Sequence, residues 1–371
     1  MAWSRTAPVA LVAAALMLAS GACGASEPES PTPRIAFADG TAVSVRAADG
    51  KVTRVAALPV GWRAETLTWS GGGSELAWVA TSSDFTKGRI YRAAASGGPV
   101  RQWDCALFCG LVAFLGTDLI GEGSISGPER YPSAGGEPQA FEPDGLPGEF
   151  NLFGSPIYRG LLTGTKKGDA VYFATGSSLE APKQVLKVGR DQTATPVHDV
   201  GSASLPGNGT VSPDGTQLAY TLDKAETACP ATDTVVVADL RSKQAKKMTP
   251  PSSAAAMFVA GLWFDAKGQL FVAYVPGPVA CQPGLAEQPD TPTRATAATV
   301  YERTGTTWKA TNRQAQSGAE LGGGRRLELT GALTVGPSRI QQSPGGTLRL
   351  IENGKSQTIG RGVTTFAVAP D

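Results

Sequence analysis

The chain is poor in the side chains that most enzymes work with. Its 371 residues include one histidine, five cysteines and four methionines, and only 18% are charged. A single imidazole, His198, rules out a polyhistidine metal centre and leaves little for a nucleophile–base pair. There is no Cys-x-x-Cys, no Gly-x-Ser-x-Gly elbow and no His-Glu-x-x-His pair. Asn353-Gly354-Lys355-Ser356 lacks the upstream glycine of a phosphate loop. No basic run interleaved with aromatics is present, so nucleic acid is not an expected partner. Outside the N-terminal segment no long stretch carries apolar residues at helical spacing. What is abundant is Gly (46) and Pro (27), the residues of tight turns between short strands. An all-β chain is therefore expected.

The N-terminus reads as export machinery. Arg5 is its only charge, Val9 to Ala19 is apolar, and Ser20-Gly21-Ala22 precedes Cys23. The pattern resembles a bacterial lipobox with Ser20 where Leu is usual, which implies residues 1–22 as a signal peptide and Cys23 as an acylated first residue. Ordinary signal cleavage after Ala22 is the alternative. Residues 23–33, with three prolines and no large apolar residue, then form a flexible tether to a folded domain over 34–371. Without residues 1–22, 32 basic residues face 32 acidic ones, so the membrane is reached through the acyl anchor alone. The Ala-, Gly- and Pro-rich composition suggests a high-GC bacterial source.

Beyond the tether a hairpin recurs. Extended runs turn at Asp49-Gly50, Gly97-Gly98, Gly135-Gly136, Arg190-Asp191, Arg241-Ser242, Thr304-Gly305 and Asn353-Gly354. The spacing is about 48 residues, a blade-sized period. A second unit precedes some of these hairpins. Val211-Ser212-Pro213-Asp214-Gly215-Thr216-Gln217-Leu218-Ala219-Tyr220 has Pro and Gly at the turn positions their backbones favour and alternates into a strand. Glu65 to Val79 and Leu262 to Tyr274 are degenerate copies.

The Ser-Pro-Asp-Gly-x-x-Leu-Ala-Tyr pattern resembles the blade signature of TolB-like, WD-like β-propellers. The resemblance implies a single β-propeller of about seven blades of four antiparallel strands. The irregular stretch 105–160 leaves six or eight open. Arg34-Ile35-Ala36-Phe37 matches the second strand of the repeat and Phe366-Ala367-Val368 the first, so the two ends should share one blade and close the ring.

This fold also implies where function could sit. Asp214 is expected to be a turn residue, and Trp69, Trp78 and Trp263 core. His198 falls on an outer strand. Four cysteines permit three pairings; equating Tyr220 with Tyr274 in adjacent blades implies Cys229 with Cys281 and leaves Cys105 with Cys109. The loops joining the second and third strands of each blade should form a binding face. Its candidates are Trp62, Asp84, Phe85, Lys87, Glu226, Glu287 and Asp290, the last two on a long loop over 276–298.

The resemblance implies a non-catalytic scaffold that binds an envelope protein or small ligand as a monomer, with no cofactor or metal. A propeller lyase or glycoside hydrolase, or a sensor of a small envelope ligand, are the alternatives. Paired acids on the inner strands would mark an enzyme, and these strands read as Thr, Ala, Val and Trp.

Overall fold

The computed structural model describes residues 32–370 apart from 106–108, 125–126, 145–157, 177–182, 202–204, 224–231, 252–256, 278–293, 336–339 and 343–344. Cys23, Cys229, Cys281, Glu226, Glu287 and Asp290 lie outside the described residues.

Seven four-stranded antiparallel sheets form the blades of one β-propeller. With strands lettered a to d from the inside outward, blade 1 is Thr365–Val368, Ile35–Ala38, Ala42–Arg46 and Val52–Ala57. Blade 2 is Trp62–Trp69, Glu75–Ser82, Gly88–Ala94 and Val100–Asp104. Blade 3 is Val112–Leu115, Asp118–Ser124, Gly127–Tyr131 and Gln139–Ala140; blade 4 is Tyr158–Gly164, Ala170–Gly176, Gln184–Gly189 and Ala194–Asp199. Blade 5 is Leu205–Val211, Gln217–Asp223, Thr234–Asp239 and Ala245–Lys247; blade 6 is Met257–Phe264, Leu270–Pro276, Thr299–Thr304 and Thr307–Gln314. Blade 7 is Ser317–Gly322, Arg325–Thr330, Gly346–Glu352 and Lys355–Val363.

Every hairpin expected from the sequence is a c–d pair, and the irregular stretch is blade 3, whose outer strand has two residues. A smaller sheet, Arg294–Ala297, Ala332–Val335 and Ile340–Gln342, joins the b–c loops of blades 6 and 7. Only its first strand falls within the long loop that the sequence singled out.

Blade 1 closes the ring. Ile35, Ala36, Phe37 and Ala38 pair with Val368, Ala367, Phe366 and Thr365. Ala369 donates its N–H to Arg34 O at 2.9 Å, and Thr364 donates to Ala38 O at 2.9 Å. Blade 2 grips the same strand, with Trp69 Nε1–H donating to Ala367 O at 3.1 Å.

Each b strand lies between two neighbouring blades, and in blades 2 and 5 its central residues are apolar on both faces. Leu76, Ala77, Trp78, Val79 and Ala80 are fully buried, as are Leu218, Ala219 and Tyr220. In blades 5 and 6, the N–H that opens each a–b turn donates to Gln217 O and Gln269 O respectively. These bonds align Tyr220 with Val272, so Tyr274 lies two residues further along its strand. The assumed equivalence of the two tyrosines is corrected accordingly.

Candidate functional site

Antiparallel strands put the a–b and c–d turns on one face of the ring and the d–a and b–c connections on the other. On the second face of blade 2, Pro59-Val60-Gly61 lies beside the b–c loop 83–87, and Ser83 N–H donates to Gly61 O at 2.8 Å. Val60 is fully exposed and Phe85 is 51% exposed. Burial elsewhere would favour both side chains, so this outward placement has to come from the backbone.

Two cations brace the aromatics. Arg63 lies over the Phe85 ring at 5.1 Å and Arg89 over the half-buried Trp62 at 5.1 Å. Arg89 is also paired with Asp104. Next to Asp104, Cys105 donates its N–H to Gly88 O at 3.0 Å and is joined to Cys109 by a disulfide with Cα atoms 5.6 Å apart. The patch therefore rests on an ion pair, two cation–π contacts and a covalent clamp. Lys87 is exposed on the same loop.

Asp84 holds this loop together. It accepts from Ser82 Oγ at 2.5 Å, Thr86 N at 3.1 Å and Thr86 Oγ1 at 2.9 Å, and these bonds lower its pKa to about 2. The same device recurs around the ring. Asp39, Asp49, Asp191, Asp214, Asp239 and Asp265 each accept the N–H two residues on. Asp214 is thus a turn residue, its carboxyl held near 2 by Ser212 and Thr216.

The inner strands do carry acids, contrary to the sequence reading, and Glu65, Glu75, Glu122, Glu320 and Glu328 each have partners. Glu75 forms a two-point pair with the buried Arg92 at 3.0 and 2.5 Å. Arg313 bridges Glu320 at 2.8 Å and Glu328 at 2.6 Å across blades 6 and 7. Glu65 is paired with Arg63 at 2.6 Å. Glu122 accepts the main-chain N–H groups of Leu111, at 3.2 Å, and Leu161; burial still raises its carboxyl to about 7. A side chain at Gly110 would collide with that carboxylate, so the glycine makes room for it. Blade 7's a–b pair, which carries Glu320 and Glu328, turns at Gly322-Gly323-Gly324 and not at a Ser-Pro-Asp-Gly, so its sequence does not resemble the repeat.

His198 sits on strand d of blade 4, its Nδ1 at 3.1 Å from Asp199 O and its Nε2 at 2.9 Å from Tyr220 Oη. A carbonyl only accepts, so Nδ1 carries the proton and Nε2 accepts from the tyrosine. Burial lowers the imidazole pKa. The residue joins blades 4 and 5, remote from the Phe85 patch in the sheet order.

A cavity of about 330 Å³ lies on the ring axis, lined by the ends of inner strands from six blades and lacking Asp, Glu and His in its lining. Its mouth includes Pro370, beside the point where the chain enters at Arg34.

No protein-family model matches the chain, and no curated protein matches it. Solved structures do. TolB from Acinetobacter baumannii is 18% identical, over 77% of this chain and 66% of that one, with a TM-score of 0.44. The Niastella koreensis GH74 enzyme is 12% identical over 87% of this chain and 51% of that one, with a TM-score of 0.50. The Swd1 β-propeller domain from Myceliophteria thermophila is 9% identical over 81% of this chain and 90% of that one, with a TM-score of 0.52. This chain therefore spans just under two thirds of the TolB chain and about half of the GH74 chain. What the similarity establishes is the fold: the chain is a seven-bladed β-propeller.

Proposed function

We propose that the protein is a lipid-anchored, extracytoplasmic binding module of the cell envelope, without catalytic activity of its own. It would dock a partner protein on the b–c face of blade 2. The observation that carries this reading is Phe85, a large aromatic kept half in solvent at a backbone φ of 58°. Such a φ is costly for a bulky residue and is tolerated where the surroundings enforce it. With Val60 beside it and Trp62 beneath Arg89, it forms an apolar centre with a polar rim, the anatomy of a binding hot spot.

The anchor rests on the sequence Ser20-Gly21-Ala22-Cys23. Support for a binding rather than a catalytic role comes from the partnered inner-strand acids and the single, structurally engaged histidine.

Two measurements test the reading. Labelling with a fatty-acid analogue should mark the wild type and not Cys23→Ala. A photo-crosslinker at Phe85 or Val60 should capture the same discrete protein in cells, while one at Lys267, on the a–b face, should not. Equal capture at all three positions would refute docking on this face.

A further inference from the structure

The Cys105–Cys109 disulfide is placed to shape the Phe85 patch more than to hold the fold. It joins residues four apart, so the loop it closes is short and its chain-entropy contribution to folding is small. Both cysteines are half-buried, packed against a buried cluster that includes Ile90, Val112 and Tyr131. Disulfides within reach of solvent are the ones that exchange with external thiols.

Its contacts lead into the patch. The outer strand of blade 2 ends at Asp104, and beyond it Cys105 N–H donates to Gly88 O at 3.0 Å. Cys109 Sγ lies so close to Gly88 that a Cβ there would stand 2.7 Å from it. Gly110, the next residue, donates its N–H to Glu122 O at 2.8 Å and is thereby fixed to blade 3. The disulfide thus ties the end of the blade 2 edge to a segment that blade 3 holds. Arg89 follows Gly88 and Asp104 precedes Cys105, and their pairing keeps the guanidinium over Trp62. An exposed ion pair contributes little stability, but it sets where the guanidinium stands.

Reduction acts on this chain of contacts at its first link. Two thiol sulfurs cannot stay at bonding distance, and Gly88 leaves Cys109 no room to move toward blade 2, so Cys105 has to give way. An edge strand frays from its unheld end, which takes Asp104 from Arg89 and Arg89 from Trp62.

We propose that the Cys105–Cys109 disulfide is a redox control of the blade 2 patch: an external protein dithiol reduces it, Trp62 loses its brace, and docking is switched off. Only the last step rests on the docking reading above. In the exchange, a thiolate of the dithiol attacks one sulfur and displaces the other as a thiolate; the second thiolate of the dithiol then breaks the mixed disulfide. Two electrons pass to the protein, the two protons of the dithiol end on Cys105 and Cys109, and the dithiol ends as a disulfide.

Dithiothreitol serves as the probe dithiol. The oxidised, folded protein treated without denaturant should gain thiols at Cys105 and Cys109, mapped by alkylation. The Trp62 indole NMR signal, assigned with Trp62→Phe, should shift while those of the core residues Trp78 and Trp263 stay. Cys105→Ser with Cys109→Ser should give the reduced Trp62 signal and not respond further to the reagent, which separates this disulfide from the other cysteines. Asp104→Asn should move the same signal with the disulfide intact. In cells, capture through a photo-crosslinker at Val60 should fall about tenfold in the double serine variant, the loss of one hot-spot contact. The proposal is overturned if the disulfide resists the reagent in the folded protein, if the Trp62 signal is the same in both states, or if the double serine variant captures as well as the wild type. Collapse of all the indole signals together on reduction would also overturn it, as the mark of a purely structural bridge. A wild type that captures nothing at Val60 while its Trp62 signal still follows reduction would refute docking alone and uphold the redox control of the patch.

Discussion

Under the docking proposal the exposed ring of Phe85 works in binding, because its conformation does not favour folding. A left-handed backbone costs a bulky side chain about 1–2 kcal/mol, and the ring stays 51% exposed. Phe85→Gly relieves that strain but frees the unfolded chain and removes the Arg63 contact. Stability should therefore stay within about 1 kcal/mol of wild type, while crosslinked capture through Val60 falls away. A chemical melt beside the capture experiment checks both. The titrating groups give a second residue-level test, with opposite signs. Glu122 has its pKa raised by burial from 4.5 to about 7, so the folded state prefers it protonated. Its stabilising contribution is full below pH 4.5 and is lost as pH rises through about 7. Glu122→Gln should remove that loss, seen as a flatter unfolding midpoint between those pH values. His198 is depressed below 6.5, so its contribution is present above that pH and is lost as pH falls through the folded value. As the only imidazole, it gives one NMR titration that should lie below the free-histidine value.

Among the elements, the a strands share a feature that no sequence pattern announced. Register shifts interrupt the a–b pairing at Ala64/Thr66, Leu161/Thr163, Pro206/Gly209 and Val259/Gly261, in blades 2, 4, 5 and 6. An extra residue at this point bends and twists the strand, which re-aims its end toward the axis. The residues involved, Glu65, Leu162 and Ala260 among them, have nothing in common, so composition could not reveal the bulge. Outer hairpins were legible because Gly, Asn and Asp at tight turns carry their own backbone preference, as at Asn353-Gly354, where both residues have positive φ. The site was legible in part. Trp62 and Phe85 could be placed on one face by counting strands, whereas the braces from Arg63 and Arg89 depend on side-chain geometry. The Cys105–Cys109 clamp closes a very short loop; by chain entropy Cys105→Ser with Cys109→Ser should cost about 2 kcal/mol. A denaturant titration against the oxidised wild type measures this.

For the molecule as a whole, closure is what makes the ring a platform. The last strand holds blade 1 through Ile35–Ala38, receives the Trp69 indole bond from blade 2, and lines the axial cavity with Thr365 to Val368. Without it, the Ile35–Ala38 edge is left unpaired and blades 1 and 7 are free to splay. The complementary ends were readable because Arg34-Ile35-Ala36-Phe37 and Phe366-Ala367-Val368 are fragments of one repeat. The proposed docking face depends on this closure for its rigidity. Its most direct test is the thermal melt of a chain lacking residues 362–371. Closure through the shared blade predicts a broad, early transition in place of one cooperative unfolding; a melt that coincides with that of the intact protein would contradict it.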